Sequence, residues 1–267
     1  MNIYLFELKS ILKSSIFWSI SILSVLIIFM VGVYPIFQDG SKELVELFSN
    51  FPPEFLKAFG FSNVENLFGV EPFYAFCFTY IGLISAIMAV SFSIEVFSRE
   101  KRSKCMDFIL TKPISRFTIF KSKLAACFTV AVVNNIFYAV TTLVIFYASI
   151  DGYKFTLETL LLMLAPFFTQ LVFVSLGIFI SIIFKRIRSV SALATSVGIV
   201  AFMMSAVVNL LEKEYLYYLA PLKYFDPERI VSSGSYDLRL VIFAIFLVVI
   251  AIFFSAKKYC SEDVAAV

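Results

Sequence analysis

Six stretches of this chain carry no charged side chain: 17–37, 73–94, 124–150, 159–184, 189–211 and 240–256. Wound as a helix, the first of them reaches about 31 Å, close to the ~30 Å hydrocarbon core of a bilayer. In lipid every backbone N–H and C=O must find its partner within the protein, and single runs of this length do so only as helices. The expected fold class is therefore an all-α membrane protein with six transmembrane helices. The first run is too long for the core of a signal peptide and lacks a clear small-residue cleavage site, so it reads as a retained span.

Composition agrees. Of 267 residues 61% are hydrophobic and 15% charged, with a mean hydropathy of +0.94, whereas soluble domains are about half apolar and about a quarter charged. No polar insert between the spans is long enough for a soluble domain. On the six-span reading, one side holds 15 of the 22 cations but only 6 of the 19 acids. Positive charge accumulates on the cytoplasmic side, so both termini are expected there. The chain has no His, which removes the commonest metal ligand and the usual near-neutral acid or base. Cys77, Cys105, Cys127 and Cys260 lack CxxC spacing and read as free thiols.

Before the first span, Ile3, Leu5, Phe6, Leu8, Ile11 and Leu12 alternate with Glu7, Lys9 and Lys13, a pattern that fits an N-terminal interfacial helix. In the first external loop Ser41 and Pro53 are placed to open short helices. Gly82, Ala86 and Ala89 in span 2, and the Ser191 to Gly198 opening of span 5, give small residues at spacings that allow close helix contact. No ionisable group lies at mid-depth, which argues against gradient-coupled carriers. Asn134, Asn135, Gln170 and Asn209 are the polar groups available to line a path or to hydrogen-bond between helices.

The most informative polar segment is Glu95 to Lys123, which holds eight cations against three acids. Met106, Ile109 and Leu110 fall at i, i+3 and i+4 and gather on one side of a short helix. Pro113 ends it, and Ser115 is placed to N-cap a helix that begins at Arg116. A short helix with an apolar face and a basic surround is a common docking element for a soluble partner.

This stretch resembles the first cytoplasmic loop of the permease subunits of ABC-2 type ABC transporters. The matching residues are Glu95, Arg99 and Glu100, the Met106 to Leu110 turn, Pro113-Ile114-Ser115-Arg116 and Lys123. Ala220 to Ile230 is similar to the segment before the last span of that family. Lys104-Cys105 stands where the family often has Gly-Thr. The resemblance implies a single ABC-2-like transmembrane domain over 1–267, with a cytoplasmic coupling helix between spans 2 and 3. It also implies that Glu95, Arg99, Glu100, Met106, Ile109, Leu110, Pro113, Ser115 and Arg116 couple the chain to cytosolic ABC ATPase subunits. A second permease chain, identical or related, and export as the direction of transport are implied in the same way.

The sequence contains no GxxxxGK[ST] loop. Nucleotide is therefore expected on a separate ATPase, with no cofactor on this chain and no catalytic activity of its own. Nucleic acid is not an expected partner, because the basic loop lacks stacking aromatics. From the residues alone a second class stays open: a non-transporting scaffold or sensor whose basic loop binds a regulator or anionic lipid.

Overall fold

The computed structural model describes residues 3–39, 46–48, 50–59, 61, 68–103, 114–150, 152–184 and 186–261. Among them, six helices are long and apolar enough to cross a membrane: α1 (Ile3–Phe37), α2 (Val70–Ser103), α3 (Arg116–Ser149), α4 (Leu157–Ile183), α5 (Val190–Leu211) and α6 (Leu238–Ser261). There is no strand among the described residues. Successive helices run in opposite directions, so one end of the bundle gathers the start of α1, the end of α2, the start of α3 and the end of α6. We call it the basic end.

The expected N-terminal interfacial helix is not a separate element. Residues 3–27 form one unbroken helix, and Glu7, Ile11 and Ser15 are buried against the bundle. They form the first turns of the span because Glu7 is drawn inward by cations of α2 and α3. Near its other end α1 widens into a π-turn at Ile28–Val33, where the Tyr34 N–H reaches back to the Phe29 carbonyl. Pro35 has no N–H to offer the Val31 carbonyl, which accounts for the loosened turn just before it.

α2 and α4 form the centre: most of each is buried, whereas α1, α5 and α6 expose apolar flanks such as Phe17, Ile20, Met203, Val249 and Phe253. α2 packs most extensively on α4, and α1 on α3. Gly177 permits the first contact, because a Cβ there would lie 3.1 Å from the Cα and carbonyl oxygen of Val90 and run into Ser93 Oγ. Gly198 does the same for α5, where a Cβ would run into Ile87. In the small-residue opening of α5 only Ala194 and Gly198 face inward, while Ser191, Ala192, Thr195 and Ser196 are exposed. Ser115, Thr156 and Ser189 each accept a backbone N–H three residues on, capping α3, α4 and α5.

At the far end, Pro53 opens a short helix, Pro53–Ala58, which leans on α5 and is tied to it by Lys57 and Glu212 at 2.6 Å. Pro221–Lys223 and Pro227–Ser233 pack against α2 and α4, with Ala220, Tyr224 and Ile230 buried. Lys223 is buried too, 2.7 Å from Asp226, and the same Asp226 caps Pro227–Ser233. Burial alone would push the Lys223 ammonium down, yet Asp226 and Glu228 together hold its pKa above the ordinary lysine value.

Two outcomes follow from this packing. Gly177→Ala should lower stability in detergent by about 1–3 kcal/mol through overpacking, while Gly32→Ala, whose Cβ meets nothing within 4 Å, should not lower it; thermal unfolding compares them. A raised folded pKa stabilises below the unfolded value, about 10.4 for lysine, and the gain is lost as pH climbs through the folded value. Stability should therefore fall in that alkaline window, and Lys223→Met should flatten that part of the pH profile.

Candidate functional site

Glu7 is the first acidic residue of the chain, and the next is Asp39. In the structure its carboxylate, 2% exposed, meets two cations from other helices. Arg99 Nη1 of α2 lies 2.8 Å from Glu7 Oε2, and Lys123 Nζ of α3 lies 3.2 Å from Oε1. Lys123 is fully buried; it donates to Glu100 Oε1 at 2.6 Å and to the Val96 carbonyl. Arg99 also donates to Ser10 Oγ and sits 5.6 Å from the centre of the Phe6 ring. Two buried carboxylates thus face two cations, so the cluster is neutral in sum. That balance is what makes its burial tolerable.

Around it the basic end is tied by weaker contacts. Arg102 pairs with Glu95 at 2.5 Å, in a half-exposed setting. Lys101 Nζ donates to the Ile182 carbonyl at 3.4 Å, and Arg116 Nη1 to the Cys260 carbonyl at 3.3 Å. Both acceptors lie in last turns, where carbonyls lack helical partners and the helix dipole favours a cation. Phe97, Phe120 and Tyr259 join α2, α3 and α6 with ring centroids 5.2 to 6.4 Å apart.

The structure brings Glu95, Arg99 and Glu100 together at the end of α2, and places Ser115 and Arg116 at the start of α3. Ser115 Oγ accepts from the Thr118 N–H at 3.2 Å, the cap its position suggested. Met106, Ile109, Leu110 and Pro113 lie outside the described residues. Sequence reasoning missed Glu7 and counted Lys123 as a loop cation. A lone acid in an otherwise apolar and basic segment was the signal available.

Deeper in the bundle the polar residues of the spans separate. Asn134 Oδ1 accepts from Ser15 Oγ at 3.1 Å and from Ser19 Oγ, joining α3 to α1, and its Nδ2 donates to Met88 Sδ of α2 at 3.5 Å. Pro166 has no N–H for the Leu162 carbonyl, and the Tyr74 hydroxyl donates to that oxygen at 3.5 Å while bonding Tyr138 on α3. Ser19, Ser85, Asn134, Tyr138, Pro166 and Gln170 converge on a small cavity between α1, α2, α3 and α4. Asn135 is buried with its Oδ1 unpartnered. Asn209 is half-buried near the far end of α5 and does not line that cavity. Among the described residues no cluster of His, Cys, Asp or Glu has the arrangement of a metal site.

Six apolar helices with lipid-suited flanks, closed by a buried charge cluster at one end, define a polytopic helical membrane protein. Residues 1–232 match the family model for the ABC-2 family transporter protein, and the chain belongs to that family of transporter permeases. Comparison with curated proteins finds no match.

Removing one partner from a buried ion pair strands a charge and costs about 3–5 kcal/mol, whereas an exposed pair contributes about 0–1. Lys123→Met should therefore destabilise strongly, while Glu95→Gln should stay within ~1 kcal/mol of the parent. Adding Glu100→Gln to Lys123→Met leaves Glu7 paired with Arg99 and should restore much of the loss. Detergent unfolding of the four proteins measures the difference.

Proposed function

We propose that this chain is the membrane-spanning permease of an ATP-driven transporter, and that a separate cytosolic ATPase docks on the segment between α2 and α3. The observation that carries the reading is the match of residues 1–232 to the ABC-2 family, in a chain without a phosphate-binding loop of its own. ATP is bound and hydrolysed by the partner, and this chain needs no cofactor. Both termini and the basic end face the cytoplasm, and the cation distribution supports that orientation. A second permease chain completes the pathway, and the direction is export.

In this reading Met106, Ile109 and Leu110 form the apolar contact with the ATPase, and Pro113 ends that helix. Glu95, Arg99, Glu100, Ser115 and Arg116 anchor the two ends of the segment to α2 and α3. Movement of the docked ATPase then reaches α1 as well, because Glu7 is bound to Arg99 and Lys123. Asn134, Asn135, Gln170 and Asn209 act between helices instead of lining the path; the hydrogen bonds of Asn134 to Ser15 and Ser19 favour this for the first of them.

Burying a medium apolar side chain is worth about 1.5–3 kcal/mol, and an exposed ion pair about 0–1. Ile109→Ser with Leu110→Ser should therefore reduce co-purification of the ATPase more than tenfold, at normal membrane abundance of the permease. Lys101→Ala should do much less. Cysteines at Ser103 and Ser233 check the orientation: an impermeant reagent outside intact cells should label the second alone. Unchanged complex formation in the double Ser variant would move the reading to the scaffold class.

A further inference from the structure

The cavity between α1, α2, α3 and α4 is small, with ≈ 10 Å³ open to the centre of a water molecule, which is room for one water. Two of its walls end in polar atoms that have no protein partner, Ser85 Oγ on α2 and Gln170 Oε1 on α4. Both residues are closed off from the outside, at 0% and 2% exposure. An unsatisfied polar group at such depth is costly, and cavities that stay empty are apolar. The two atoms differ in need: the hydroxyl of Ser85 has a proton to give, and the amide oxygen of Gln170 can only accept. They do not bond one another. The remaining polar walls already have partners: Ser19 in the Ser15 carbonyl and Asn134, Asn134 in Ser15, Ser19 and Met88, and Tyr138 in Tyr74.

We propose that this cavity is a water-binding site, in which one water molecule accepts from Ser85 Oγ and donates to Gln170 Oε1. A water supplies both roles at once, which no other ligand of this size does so simply. Its place gives it structural weight. The α1–α3 pair is already joined by the Ser15, Ser19 and Asn134 bonds, and the water adds α2 and α4 to the same polar layer. Gln170 is thus held by a hydrated contact instead of a direct bond to another helix.

A double-mutant cycle on thermal unfolding of the full chain in detergent tests this, using Ser85→Ala and the nearly isosteric Gln170→Met. With a bridging water, each substitution strands the water's other bond. Each should lower the melting temperature by about 2–4 °C, and the double variant should fall no further than the worse single one. In a dry cavity each change removes an unpaired polar atom, so a raised or unaltered melting temperature in either single variant overturns the proposal. Losses that simply add also overturn it, since two groups sharing no ligand act independently. Should either variant fail to fold, the unmodified chain decides: magnetisation transfer from water to the side-chain amide of Gln170 on the timescale of a long-lived internal water supports the proposal, and its absence contradicts it.

Discussion

The ammonium of Lys123, buried between the carboxylates of Glu7 and Glu100, is the interaction on which the basic end of this bundle depends. It lies two turns into α3, about 10 Å along the axis from the start of that helix. There it meets the first turns of α1 and the last turn of α2. A charge at that depth is unfavourable without partners, so the three helix ends are held in one register or the ammonium is stranded. Arg99 pairs with Glu7, which balances the remaining negative charge, and extends the network to the half-exposed Glu95. The segment proposed to receive the ATPase leaves α2 and enters α3 just beyond this cluster. Its two ends are thereby fixed to α1 as well as to each other.

Elsewhere the helices meet by shape and by local repair of backbone defects. Gly177 and Gly198 let α4 and α5 lie against α2 at distances that a methyl group would spoil. Pro166 leaves a carbonyl without its helical donor, and the Tyr74 hydroxyl supplies one. Pro35 leaves another, and α1 answers with a π-turn. In lipid there is no solvent to absorb such defects, so each requires an internal solution. That is why Asn134, Asn135 and Gln170 sit on inner faces, while the exposed flanks are mostly apolar and carry only small hydroxyls such as those of Ser191, Thr195 and Ser196 on α5.

Much of this was legible in the sequence, where the physics is local. The uncharged runs marked the helices because lipid excludes charge, and Ser115 before Arg116 read as a cap because capping depends on a few neighbouring residues. Pro53 read as a helix start for the same reason. What sequence reading missed is long-range. Nothing local to Glu7 says that Lys123 stands opposite, so its segment read as a surface helix and Lys123 as a loop charge. Gln170 was recognised as polar and buried, but its convergence with Ser85 on one cavity arises from three-dimensional packing. Ala220 to Ile230 lies between the uncharged runs, yet its Leu222, Tyr224 and Ile230 are buried in the bundle, because a turn between spans can fold back onto helices it does not adjoin in sequence.

The central claim is that the start of α1 is locked to α2 and α3 by the buried ion-pair cluster, and is therefore moved by whatever moves the segment between them. Backbone amide exchange over residues 3–15 measures that lock most directly. The account predicts slow exchange in the parent protein, comparable with the buried part of α2, and clearly faster exchange confined to residues 3–15 and the adjoining helix ends in Lys123→Met. Fast exchange of residues 3–15 in the parent, or exchange left unchanged by Lys123→Met, would contradict it.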